Sequence, residues 1–126
     1  MRAVDTNVLV RLIVRDNPKQ VAAAEAFVAK GAWVSQIVLT ELSWVLESVY
    51  ELHPELMVVA IDMLLNHEHI TIQDSEIAES ALKSFRKRPA VSFSDNLIVE
   101  MARKSGHLPL GSFDKDLARL EGVERL

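Results

Sequence analysis

Short apolar runs alternate along this chain with longer stretches in which apolar residues recur every three or four positions. The short runs read as strands and the longer ones as helices. In order, the pattern predicts a strand at Arg2–Asp5 and a helix at Asn7–Val14. Asp16-Asn17-Pro18 is a turn, with Pro18 placed to open a second helix that runs to about Lys30 and ends at Gly31. Ala32–Ser35 is the second strand. Val38–Val49 is a helix, with Leu39, Leu42, Val45, Leu46 and Val49 at helical spacing. His53-Pro54 breaks the chain before a helix over Glu55–Asn66. A third strand at Ile70–Ile72 precedes a helix capped by Asp74 or Ser75 and running to about Arg86. After a loop at Pro89–Ser92, a helix covers Ser94–Ser105 and Gly106 ends it. Leu108–Leu110 is the fourth strand, with Pro109 at an unpaired position or at the strand's start. A short helix at Lys115–Leu120 and an edge strand at Val123–Leu126 complete the chain. Strands alternating with helices predict an α/β domain with a mostly parallel β-sheet.

At 126 residues the chain is expected to form one domain over 1–126, large enough to bury a substantial core. There is no cysteine, which removes disulfides and thiolate metal sites and suits a reducing cytoplasm. No signal peptide is expected, because Asp5, Arg11 and Arg15 interrupt the apolar N-terminus. The longest apolar run, Leu56–Leu65, is broken by Asp62 and falls short of the ~20 residues that span a bilayer. A soluble chain with no membrane partner is therefore expected. That same run is apolar nearly all round, whereas a surface helix buries one stripe. Either neighbouring helices cover both sides, or one side packs on a homodimer mate or a partner peptide. Both readings predict burial. Trp33 and Trp44 lie in apolar patterns and read as core.

Four acids, Asp5, Glu41, Asp95 and Asp114, fall where an apolar run ends or a helix begins. If the short runs are parallel strands of one sheet, all four carboxylates sit at its carboxyl edge, where open α/β sheets place ligands. Two bare carboxylates about 4 Å apart repel by roughly 4 kcal/mol at an effective dielectric of 20, so such a cluster requires protonation or a cation. Oxygen ligands without Cys or paired His favour Mg²⁺ or Mn²⁺ over zinc. The net charge of −4 argues against a dedicated basic nucleic-acid binder. Bound divalent ions would add roughly +2 to +4 locally and change that balance. The basic stretch Lys83-Ser84-Phe85-Arg86-Lys87-Arg88 is either a solvated helix end or a guide for a phosphate backbone. Arg11 and Arg15 share a helix face, exposed by default. His67-Glu68-His69 sits where a helix gives way to a strand, which does not aim both rings at one metal.

Asp5-Thr6-Asn7, Ser35 with Glu41, Phe93-Ser94-Asp95-Asn96-Leu97-Ile98 and Ser112-Phe113-Asp114-Lys115-Asp116-Leu117 together resemble a PIN-domain protein. The resemblance runs from residue 1 to about 120. Ser112 stands where the family commonly has Thr, which preserves the hydroxyl. The single-domain size resembles the VapC-type toxins of bacterial or archaeal toxin–antitoxin pairs. The resemblance implies a parallel sheet flanked by helices on both faces, a three-layer α/β/α arrangement. It also implies metal-dependent endoribonuclease activity on an RNA substrate, with a cognate antitoxin as partner; a homodimer is expected beside these, in keeping with the apolar run 56–65. The roles expected are Asp5 and Asp95 on the principal ion, Asp114 completing or bridging the site, and Glu41 holding a metal or its water. Thr6, Asn7 and Ser112 are expected to orient carboxylates or contact phosphate. Thr6 and Asn7 serve equally well as caps of the first helix. Asp116 is either a further ligand or an exposed residue of the short helix.

Two other classes compete. One is a PIN-like fold kept for protein association with little catalysis, which the apolar run 56–65 encourages. The other is a phosphatase of the haloacid-dehalogenase type, which also begins with an Asp after the first strand. That type wants a second Asp two residues later, where this chain has Asn7.

Overall fold

A computed structural model describes residues 1–126, and the chain divides into two compact units, Met1–Ser75 and Glu76–Leu126. The first unit runs β1 (Arg2–Ala3), α1 (Thr6–Val14), α2 (Pro18–Val28), β2 (Ala32–Val34), α3 (Gln36–Ser48), α4 (Pro54–Leu65) and β3 (Ile70–Ile72). Its strands form a parallel three-stranded sheet in the order β1-β2-β3. Arg2 lies opposite Ala32, and Ala32 opposite Ile70. Two helices cross between each consecutive pair of strands, which is how a chain returns to run parallel to itself.

Local chemistry sets the boundaries. Pro18 occupies the first turn of α2, where a missing N–H costs nothing, and the Asn17 side chain accepts the Gln20 N–H at 3.1 Å. Gly31 ends the helical run with φ +93°, its N–H bonded to the Val28 carbonyl at 2.8 Å. Ser35 caps α3 by accepting the Val38 N–H at 3.1 Å. Along α3, Leu39, Leu42 and Leu46 are fully buried, each side chain contributing about 1.5–3 kcal/mol on burial. The buried Gln36 ties the start of α3 to the chain just beyond β3. Its Nε2 donates to the Gln73 carbonyl at 2.6 Å, and its backbone N–H donates to Gln73 Oε1 at 3.0 Å.

The all-round apolar helix is covered on one side only. In α4, Met57, Val58, Ala60, Ile61 and Leu64 are buried, but Leu56, Val59 and Met63 are 57%, 64% and 38% exposed. That outer stripe, with Leu12, Ile13 and Tyr50, lines an apolar groove of about 510 Å³. The expected burial therefore does not hold for this face within the chain. The two tryptophans also depart from the core reading, since Trp44 is 61% and Trp33 36% exposed. Trp44 lies two residues from both Leu42 and Leu46, which on a helix is nearly the opposite side. Trp33 points away from its neighbours Ala32 and Val34, which are buried on the other face of β2.

The second unit holds α5 (Ser75–Lys87) from its second residue on, α6 (Phe93–Lys104), β4 (Leu110–Ser112), a 3-10 turn at Leu117–Arg119 and β5 (Val123–Arg125). The two helices run antiparallel. Phe85 near the end of α5 meets Phe93 at the start of α6 edge-on, with centroids 6.3 Å apart. At the other end Lys104 donates to Glu76, which holds that carboxyl below its ordinary range. The pair is exposed, so it adds little to stability. Val91, Val99 and Leu117 form a buried cluster against which Leu110, Leu120 and Val123 pack.

The α/β class with parallel strands and helical crossovers holds. The expectation of one hydrogen-bonded sheet does not, because β4 pairs with β5, parallel, in a separate two-stranded sheet. The fourth strand also begins later than expected, at Leu110. Pro109 has no N–H to give a ladder, so pairing starts after it, with the Leu110 N–H bonded to the Gly122 carbonyl at 2.8 Å. The short helix expected at Lys115–Leu120 contracts to the 3-10 turn Leu117–Arg119.

Two substitutions test this packing. Leu42→Ala should lower unfolding free energy by about 2–5 kcal/mol in urea titration. Gly122→Ala should also destabilise, because Gly122 sits at φ +89° and an added Cβ would come within 2.9 Å of Leu108 Cδ1. Left-handed backbone in a non-glycine residue adds about 1–2 kcal/mol before the clash is counted, so the same titration should show a loss of at least that size.

Candidate active site

The four acids divide evenly, two in each unit. In the first unit, Asp5 follows β1 as the cap of α1. Its backbone is extended (φ −93°, ψ 179°), and Oδ1 accepts the Val8 N–H at 3.3 Å. This cap displaces the one expected from Thr6 or Asn7, since the helix begins one residue earlier, at Thr6. Thr6 is buried in the first turn, whereas Asn7 is exposed. Asn7 lines a cleft of about 320 Å³ between α1 and α2 with Val8, Arg11 and Phe27. Arg11 and Arg15 are each committed to an acid, Asp16 at 2.7 Å and Glu25 at 2.8 Å.

Glu41 lies about one and a half turns into α3, further along than the strand end preceding it suggests. It is exposed, with Ile37 four residues before it and Trp44 three residues after, on the same solvent-facing side. The indole of Trp44 thus stands one turn from a candidate catalytic carboxylate, a neighbour that the apolar pattern around it concealed.

In the second unit, Asp95 sits half-buried in the first turn of α6, and the Ser92 hydroxyl accepts its backbone N–H at 3.1 Å. The next residue is the structural anchor. Asn96 is 1% exposed, and its Nδ2 donates to the Val91 carbonyl at 3.2 Å and the Ser92 carbonyl at 3.0 Å. It fixes the turn from which Asp95 projects. The sequence carried a signal for this role, since an amide directly after the acid at a helix start suits bonding back to the preceding turn.

Asp114 follows β4. Its Oδ1 accepts two backbone N–H groups, from Asp116 at 2.8 Å and Leu117 at 3.0 Å, while its own N–H donates to Ser112 Oγ at 3.0 Å. Ser112 therefore positions the loop bearing the acid, and Asp116 meets Asp114 through its main chain, with its side chain exposed. Leu117 anchors this segment in the same buried cluster as Val91, which anchors the turn before Asp95.

None of the four acids is in an ion pair. Within neither unit do three or more Asp, Glu or His side chains gather closely enough to hold a metal ion. The rings of His67 and His69 lie 6.0 Å apart, and His67 Nδ1 is occupied by the His69 backbone N–H at 3.0 Å, as suits a helix end rather than a metal site. No helix is long and apolar enough to cross a membrane.

No curated protein and no solved structure compared with the chain matches it. A protein-family match does exist, described as the PIN domain, and it covers residues 2–123, so it takes in both units and every one of the four acids. PIN domains are generally nucleases, and typically use divalent metals. With parallel strands, helical crossovers and acids set at helix starts and after a strand, the chain belongs to the PIN-domain family.

Proposed function

We propose that the protein is a divalent-metal-dependent endoribonuclease that hydrolyses RNA phosphodiester bonds, and that it is the cytoplasmic toxin of a toxin–antitoxin pair. The observation that carries this reading is the family match over residues 2–123, within which Asp5, Glu41, Asp95 and Asp114 all stand free of ion pairs.

The donor set fits a hard cation. It consists of carboxylates alone, with no Cys in the chain and no His among the candidates, which suits Mg²⁺ or Mn²⁺. Asp5, Asp95, Asp114 and Glu41 are the residues assigned to hold it, the two former as principal ligands. When bound, such an ion supplies Lewis-acid stabilisation of charge at the phosphoryl group and favours water as nucleophile. The protein's own part is to hold the acids. Asp114 keeps one oxygen on two main-chain donors, which fixes the direction of the other. Asp5 is fixed in the same way by the start of α1. Asn96 holds the turn beneath Asp95, and Ser112 the loop of Asp114. Thr6, Asn7 and Asp116 are assigned to orienting carboxylates or contacting phosphate.

The apolar groove beside α4 supports a protein partner. Leu56, Val59 and Met63 present one continuous stripe of the kind that an amphipathic segment covers. An antitoxin segment or a second copy of the chain is the partner assigned to it.

Three outcomes test these assignments. Chelation, or substitution of Asp5→Asn, Asp95→Asn or Asp114→Asn, should reduce cleavage of single-stranded RNA at least about 100-fold, as expected when several kcal/mol of charge stabilisation is lost. Persistent cleavage in those variants would overturn the reading. Mn²⁺ should raise the melting temperature of the native chain and fail to raise that of Asp95→Asn, a binding readout independent of turnover. Val59→Asp should abolish association with the partner, measured by calorimetry or light scattering, while leaving RNA cleavage unchanged.

A further inference from the structure

Positive charge is distributed very unevenly along the chain. Residues 1–75 carry five Lys and Arg against ten Asp and Glu, and residues 76–126 carry nine against eight. No Lys or Arg occurs anywhere from Gly31 to Leu82. The basic residues then return as a group, with Lys83, Arg86, Lys87 and Arg88 at the end of α5, all exposed and none in an ion pair.

The end of a helix favours cations, but that does not account for this group. The macrodipole stabilises a cation in the last turn by about 0.3–1 kcal/mol. Lys83 repels both Arg86 and Lys87, three and four residues on, by a few tenths of a kcal/mol each. The helix thus gains little from the third and fourth charges. The buried face of α5, formed by Ile77, Ala78, Ala81, Leu82 and Phe85, leaves Lys83, Arg86 and Lys87 on its solvent side. Arg88 lies just past the helix, and its Nη1 donates to the Arg119 carbonyl at 3.4 Å. This contact places the exposed Arg119 beside the group, on the turn that follows Asp114.

The same segment is short and tightly turned. The Val91 N–H bonds to the Arg88 carbonyl at 3.1 Å, and α6 begins at Phe93 with Asp95 in its first turn. The cationic end of α5 is therefore one turn of chain from one candidate catalytic acid. Through Arg119 it is also joined to the segment that carries the other, Asp114.

Resting on the ribonuclease reading, we infer that Arg86, Lys87, Arg88 and Arg119 form a binding track for the ribose-phosphate backbone of single-stranded RNA. The track holds the strand on the side of Asp95 and Asp114. Contacts of this kind, to phosphate, fix the path of the strand and carry no base sequence information. The track serves substrates several nucleotides long and is dispensable for a dinucleotide.

The test compares the native chain with the combined variant Arg86→Gln, Lys87→Gln, Arg88→Gln. Binding of a fluorescent twelve-nucleotide single-stranded RNA is followed by anisotropy over a range of salt, in Mg²⁺, on the Asp95→Asn background so that the probe survives. Losing three phosphate contacts should reduce the slope of log affinity against log salt by about 2, and weaken binding about 100-fold at 0.1 M salt. The charge-retaining variant Arg86→Lys, Arg88→Lys should keep the native slope, which separates lost charge from lost fold. In cleavage assays on the otherwise native chain, the triple variant should raise KM for the long RNA and leave kcat and dinucleotide cleavage unchanged. An unaltered salt slope would overturn the track. So would a triple variant that binds RNA normally but loses its protein partner, which would mark the group as a protein contact. Failure of the ribonuclease reading would look different, with no chelator-sensitive cleavage by any variant while the binding slopes stand.

Discussion

Every α-helix opens with backbone N–H groups that have no helical partner, and much of this structure is arranged around where those groups find oxygen. Asp5, Asn17, Ser35 and Ser92 each accept one at the start of α1, α2, α3 and α6, and Asp114 accepts two at the start of the 3-10 turn. Two of those five caps are also candidate metal ligands. A carboxylate that satisfies main-chain donors with one oxygen is locked in direction at no further entropic cost. The same bonds that begin the helices therefore aim the acids, and a helix start favours negative charge besides.

That dual use explains what was legible in the sequence. Caps, prolines and glycines act within a few residues, so Pro18, Gly31, His53-Pro54 and Gly106 marked boundaries that the structure places within one or two residues of those expected. The placement of Asp5, Asp95 and Asp114 at element boundaries was legible for the same reason. Long-range choices were not legible. Nothing local in Leu110–Ser112 tells that its ladder partner is Val123–Arg125 rather than another strand. Nothing in Leu56–Leu65 distinguishes the side that packs inward from the side left bare, because both are apolar. Trp44 was misread because its neighbours are apolar, although its phase relative to Leu42 and Leu46 places it outside. Asn96 stood in view within the quoted motif, and only its buried bonds to Val91 and Ser92 show that it is an anchor.

The two units differ in surface character in a way that composition alone blurs. The first has an apolar groove and no cation between Gly31 and its end. The second has clustered, exposed cations at the end of one helix of an antiparallel pair. The net charge of −4 averages these into a value that describes neither. An overall charge is a poor guide where opposite demands are met by different parts of one short chain.

The exposure of Trp44 has a practical meaning beyond packing. It places a native fluorophore in solvent one helical turn from Glu41, and the chain contains just one other indole, Trp33. Emission from an indole shifts and quenches with the polarity and ions around it. With Trp33 replaced by Phe, the chain becomes a single-wavelength reporter of events beside that carboxylate. Under the metal reading proposed above, binding of a paramagnetic ion such as Mn²⁺ beside that carboxylate would quench this emission on unlabelled protein.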